Sequence, residues 1–148
     1  MAVGDLALLQ NVSGTSNVAV GSQVSFSNTT GSNNVSFGVA ANYNVTTGND
    51  NTALGANTCL TTTTGGNNTC VGSGAGVSDA TSSHRTVIGS GALGAIDGSV
   101  TLGRNVDVVV IPGTMIVTPL AATSGQVFVC ATTTGLLVRS ATACVGTI

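Results

Sequence analysis

His84 is the only imidazole in the chain, and Asp79, Ser82 and Ser83 lie close before it. A hydroxyl, an imidazole and a carboxylate are the parts of a nucleophilic hydrolase: the imidazole takes the hydroxyl proton and the carboxylate orients the imidazole. Here all of them fall in one short polar run where the repeat described below makes a turn. A surface turn is therefore the expectation, and catalysis is not. The acids Asp5, Asp50, Asp79, Asp97 and Asp107 are scattered, with no pair spaced to act on one substrate. Asp50 stands where Asn33 and Asn67 stand in other repeats, which gives it a turn role. The cysteines Cys59, Cys70, Cys130 and Cys144 contain no CxxC, and one histidine does not complete a zinc set. No catalytic residue, metal or cofactor is expected. Cys130 and Cys144 bracket an expected hairpin and form the candidate disulfide, with buried free thiols as the alternative. Asn11, Asn28, Asn34, Asn44 and Asn67 each head a glycosylation pattern, which a chain this rich in Asn and Thr also produces by chance.

Charge is scarce. Charged residues make up 5% of the 148-residue chain, against about 25% in an ordinary globular protein. The formal net charge is −2, there is no Lys, and Arg85, Arg104 and Arg139 are the only basic side chains. No phosphate-tracking surface can be built from these, so nucleic acid is not an expected partner. No apolar run approaches the 18 residues of a spanning helix, and Met1 to Gln10 lacks the basic start of a signal peptide. With so few charges, the outside must be covered by Asn, Thr and Ser or hidden against other copies of the chain, and both are expected.

The elements that position these residues come from a repeat. Glycine recurs at 4, 21, 38, 55, 72 and 89, a period of 17, and again 14 residues later at Gly103. Most of these close one pentad, as in Asn17-Val18-Ala19-Val20-Gly21 and Asn51-Thr52-Ala53-Leu54-Gly55. Gly14, Gly31, Gly48 and Gly65 form a second set in phase, three of them preceded by Thr-Thr. Such a period mixes β-formers with turn residues and leaves no room for a helix, so each repeat should be one coil of a β-solenoid. Val3-Gly4 is already in register, as expected of a piece of a longer fibre.

Within the pentads, Val18, Val20, Val35, Phe37, Leu54, Val71, Ile88 and Leu102 occupy the alternate positions of one strand face and are expected to fill the roll core. The residues between them, Ala19, Ser36, Ala53, Cys70, Val87 and Thr101, are small. They are the expected trimer interface, where another backbone could approach closely. A second short strand is expected through Ala7, Val24, Ala41, Thr58 and Ala75. Asn17, Asn34, Asn51 and Asn68 should stack as a turn ladder, and the threonine pairs as another. A thin roll buries few large side chains against roughly 1–2 kcal/mol of backbone entropy per residue, which favours association, most simply as a homotrimer.

The pentads, Asn33-Asn34-Val35-Ser36-Phe37-Gly38 and Ser16-Asn17-Val18-Ala19-Val20-Gly21 best of all, resemble the head repeats of YadA-like trimeric autotransporter adhesins. The Asn-Thr-Ala-Leu-Gly form at Asn51 to Gly55 is similar to repeats in fibre proteins of phages and large DNA viruses. The resemblance covers about residues 1–105. It implies a left-handed parallel β-roll, three copies packed side by side, and 17-residue coils that carry three more residues in a turn than the 14-residue family period.

After Gly103 the period ends. Val108 to Ile111 and Met115 to Thr118 read as strand-like runs, and Gln126 to Ala131 with Leu136 to Arg139 as a hairpin. The expected division is a solenoid over 1–103 and a β-rich cap, neck or docking segment over 104–148. The expected function is a structural and adhesive fibre segment on a virion or cell surface, self-associating, with a host receptor or glycan as the outside partner and no membrane insertion. The rivals are a self-polymerising extracellular filament subunit and a solenoid that binds ice or another crystal surface through threonine ladders.

Overall fold

The computed structural model describes residues 1–110, Pro112, 128–131 and 137–140. Two compact units divide the chain, Met1–Val110 and Ile111–Ile148. The first therefore runs beyond Gly103, and 104–110 belongs with the roll.

The described residues hold strands and turns and no helix. Each pentad makes one short strand: β1 (Ala2–Val3), β2 (Val18–Val20), β3 (Val35–Phe37), β4 (Thr52–Leu54), β5 (Thr69–Val71), β7 (Thr86–Ile88) and β9 (Val100–Leu102). They stack in that order as one seven-stranded parallel sheet. Register is constant, Val18 on Val35 on Thr52 on Thr69 on Thr86, so that each column of the sequence becomes a column in space. The chain is a β-solenoid whose rungs are its repeats.

The second wall of the roll departs from the expected strand. From each pentad glycine, every second residue has positive φ: Gly38 at 121°, Ala40 at 53°, Asn42 at 51°. An L-residue placed there costs roughly 1–2 kcal/mol. Hydrogen bonds between coils hold the conformation, Ala40 N–H to Ser22 O at 3.0 Å and Asn42 N–H to Thr58 O at 2.9 Å. Only in the last coils does this wall become extended, where β6 (Gly76–Val77) pairs in parallel with β8 (Leu93–Gly94).

The 14-residue step also has a location. Val77 pairs with Gly94, still 17 apart, but Ser83 N–H donates to Asp97 Oδ1, 14 apart. The three missing residues are therefore lost between Gly94 and Asp97, at the turn that carries Thr-Thr-Gly in earlier coils. Val108 to Val110, expected as strand, are irregular and exposed.

In the second unit, β10 (Phe128–Ala131) and β11 (Leu137–Ser140) form an antiparallel hairpin, as the sequence predicts. The expected run Met115 to Thr118 lies outside the described residues, as does Cys144 and with it the candidate Cys130–Cys144 bridge.

Candidate functional site

The interior of the roll is lined by the small column. Ala19, Ser36, Ala53, Cys70 and Val87 are 0% exposed and pack with Val24, Ala41, Ala75, Val77 and Ala92 from the second wall. This reverses the expected faces. Val18, Val20, Val35 and Val71 are half-buried, and Phe37, Leu54, Ile88 and Leu102 are 38–46% exposed on the outside of the sheet. Buried within their own chain, Ala19, Ser36, Ala53, Cys70 and Val87 have no surface for a partner, while Thr101 is half-buried in the last rung. The reason is the thinness of the roll. Cys59 and Cys70 face each other across it with Cα atoms 5.8 Å apart, and Ser25 Oγ reaches Ser36 Oγ at 3.0 Å. No pair of Leu or Phe side chains fits between walls that close.

Residues 11 apart meet through the interior at two rungs, Ser25 with Ser36 and Cys59 with Cys70, while Val87 takes the room left by Gly94, where an added Cβ would fall 2.5 Å from Val87 Cγ2. The Cys59–Cys70 pair is a disulfide, so a covalent staple sits where an earlier coil has a hydroxyl–hydroxyl bond. With Cys70 expected on the outer face, the sequence gives no sign that Cys59 can reach it.

The asparagine ladder is present, and its bonds run chiefly to backbone. Asn34 N–H donates to Asn17 Oδ1 at 2.9 Å, Asn51 N–H to Asn34 Oδ1 at 3.0 Å, and Asn68 N–H to Asn51 Oδ1 at 3.1 Å. Each amide also donates forward to a turn carbonyl: Asn17 to Gly31, Asn34 to Gly48, Asn51 to Gly65, Asn68 to Ser82. All four are buried. The threonine ladder is similar, with Thr29, Thr46 and Thr63 donating their hydroxyls to Thr46 O, Thr63 O and Ala80 O. A further ladder, on exposed turns, was not anticipated: Thr15 N–H to Ser32 Oγ, Ser32 N–H to Asn49 Oδ1, Gly66 N–H to Ser83 Oγ and Ser83 N–H to Asp97 Oδ1. Its side chains differ in type, which hid the column.

Arg85 takes the ladder position after Asn68. Its N–H continues the ladder to Asn68 Oδ1, while its guanidinium, 5% exposed, clasps Asp97 at 2.6 Å, Asp79 at 3.2 Å, Ser78 Oγ and Gly94 O. Hydroxyls of Ser82, Ser78 and Thr81 beside Asp79 hold its carboxyl below the usual range. The Ser83 N–H, then Arg85, do the same for Asp97. At the roll's end Asp107 is lowered by the Arg104 N–H and guanidinium. Arg85 and Arg104 are thus neutralised locally.

His84 lies exposed at a left-handed turn position, φ 58°, shared with Ser16, Asn33, Asp50 and Asn67. Ser82 Oγ donates to the Asp79 carbonyl, and the Asp79 carboxylate faces Arg85. Hydroxyl, imidazole and carboxylate are not lined up as a triad. Of the glycosylation-pattern asparagines, Asn28 and Asn34 are buried with their amides engaged, and Asn67 is exposed. Among the described residues, no three His, Cys, Asp or Glu side chains gather in a metal-holding group. An open groove of about 590 Å³ at the last coil is lined by Leu93, Leu102, Arg104 and Asn105 among others. Among the described residues, what remains as surface chemistry is a set of rungs apolar on the sheet and mostly amide- or hydroxyl-bearing at the turns, with Asp50 and His84 as exposed exceptions. No protein-family model matches the chain, and no curated protein or solved structure is similar enough to match it.

Proposed function

We propose that the chain is a structural and adhesive fibre segment of a virion or cell surface, non-catalytic, assembled as a homotrimer of left-handed rolls with the residues beyond the roll as a cap, neck or docking segment. One observation carries the reading. The outer face of the seven-stranded sheet is uncharged and bears large apolar side chains on every rung, from Val3 to Leu102, and within the roll itself nothing covers them. Monomers rarely leave so long an apolar stripe in water. The ladders favour stiffness over chemistry, since their polar groups are committed to neighbouring coils. A receptor or glycan would be met by the exposed turns.

The filament reading keeps one observation in its favour: β1 and β9 are edge strands that end the sheet. The threonine hydroxyls that an ice surface would need are bonded to carbonyls at Thr29, Thr46 and Thr63, leaving the outer Thr30, Thr47 and Thr64. Light scattering on the full chain, before and after mild SDS without boiling, separates these readings. A discrete mass of three 14.3 kDa chains that survives detergent is expected. An open series of masses would point to a filament, and a single chain would refute both forms of assembly.

A further inference from the structure

Two cysteines stand where solvent does not reach them. Cys59 on the second wall and Cys70 on β5 are both 0% exposed, with Cα atoms 5.8 Å apart across the interior. β5 is held on both sides, Cys70 pairing with Ala53 of β4 and with Val87 of β7. On the other wall, Cys59 N–H donates to Ala75 O of the next coil at 2.8 Å. The disulfide therefore lies inside the stack and not at an end, where coils open most readily.

Thiol–disulfide exchange needs an attacking thiolate at one of the two sulfurs and passes through a mixed disulfide. Between walls this close there is no room for a third sulfur, still less for the molecule that carries it. In the unfolded chain the same step is easy, because the two cysteines are 11 apart in sequence and a short loop closes at little cost. Access separates the two situations, not the chemistry of the thiols.

We infer that Cys59 and Cys70 form a redox latch that exchanges only while its coil is open, so that the folded roll keeps whichever state it closed in. Closing in the presence of a small disulfide of the glutathione class gives the cross-linked roll. One cysteine thiolate attacks that disulfide and expels a glutathione thiolate. The other cysteine, deprotonated, attacks the protein sulfur of the mixed disulfide, forms the Cys59–Cys70 bond and expels the second. The two protons and two electrons that leave the cysteines end on two glutathione thiols.

Closing without an oxidant gives the dithiol roll, and two features of the interior accommodate it. The rung of Ser25 and Ser36 shows that this width accepts two facing side chains without a covalent bond, Oγ to Oγ at 3.0 Å. Asn42, one coil before Cys59 in the same column, donates its amide to Ser36 Oγ at 2.8 Å but holds its Oδ1 buried and without a partner. A disulfide has no proton to offer that oxygen, whereas a Cys59 S–H, one rung of about 4.8 Å along the stack, is a donor. The chain thus records the surroundings in which it folded. A roll closed under oxidising conditions carries its staple into reducing ones, and a roll closed in a reducing compartment carries two thiols out. The latch belongs to the single roll and depends on no partner chain.

The test uses the full chain refolded in two ways, with oxidised glutathione and with dithiothreitol, and far-UV circular dichroism as the check on folding. Differential alkylation and mass spectrometry read the state of the pair, and trypsin, cutting after Arg85, separates Cys59 and Cys70 from Cys130 and Cys144. Each preparation is then moved to the opposite reagent, without denaturant and in concentrated urea. Reduction of the first and oxidation of the second should both be slower without urea by about a hundredfold or more, because opening of the coil limits them. Asn68→Ala, which removes the ladder bonds to Ser82 O and Arg85 N–H beside Cys70, should speed both. Reaction as fast in the native roll as in urea, in either direction, would overturn the latch, as would a reduced chain that cannot regain the β-sheet signal.

Discussion

Replacing Asn51 by Ala should cost far more than replacing Asn49, although the two side chains lie two residues apart and each accepts a backbone N–H from an adjacent coil. Asn51 Oδ1 accepts from Asn68 N–H at 3.1 Å and its amide donates to Gly65 O at 3.0 Å, all three residues being buried. Truncation leaves one N–H and one carbonyl without partners where water does not reach. At about 1–3 kcal/mol for each unsatisfied group, the loss is roughly 2–6 kcal/mol. Asn49 Oδ1 accepts from Ser32 N–H at 2.8 Å, a shorter bond but an exposed one. Water replaces it, and the loss should stay below about 1 kcal/mol. Urea titration of both variants at one chain concentration, since association adds to apparent stability, should lower the midpoint by roughly 1–2 M for Asn51→Ala and hardly at all for Asn49→Ala. Equal shifts would refute the claim that burial, not hydrogen-bond geometry, gives the ladder its strength.

Three further outcomes follow from particular contacts. The disulfide closes a short loop, Cys59 to Cys70 being 11 apart in sequence, so the double change Cys59→Ser with Cys70→Ser should cost about 3 kcal/mol, read by calorimetry; an unchanged melting point would mean the staple adds nothing. Gly55→Ala places a Cβ 2.8 Å from the Gly72 carbonyl carbon at φ 135°, and should destabilise by roughly 3–5 kcal/mol. Gly98→Ala, at φ 73° with open space around it, should cost about 1 kcal/mol. The depressed carboxyls of Asp79 and Asp97 contribute stability that is complete above the ordinary value of 3.8 and is lost as pH falls through their lower folded values. Thermal scans should thus show the Arg85 clasp failing only below pH 3.8, and Asp79→Asn with Asp97→Asn should remove that acid limb.

The period, the pentad strands and the asparagine ladder were legible because each depends on a residue type recurring at a fixed spacing, and the pairing of β10 with β11 because two strand-like runs flank a short Thr- and Gly-bearing turn. The direction of the strand faces was not. Period-two alternation shows that Ala53 and Leu54 point opposite ways but not which way is in, and the usual rule that large apolar residues fill the core fails in a roll this narrow. Serine opposite serine at Ser25 and Ser36 and cysteine opposite cysteine at Cys59 and Cys70, each pair 11 apart, were the available signal. The second wall differs from the expected strand because Leu6, Gln23 and Ala40 give no local sign of positive φ; the inter-coil bonds impose that conformation. Arg85 breaks the Asn column in the sequence, yet it keeps the ladder bond to Asn68 and adds a clasp to Asp79 and Asp97.

Hydroxyl-radical footprinting of the intact full chain tests the central claim, that the outer apolar rungs are covered by sister chains. Phe37, Leu54 and Ile88 should be protected nearly as well as interior Val87, while Val12, 80% exposed at a turn, reacts freely. Labelling of Phe37, Leu54 and Ile88 in proportion to their exposure in the single roll would contradict it.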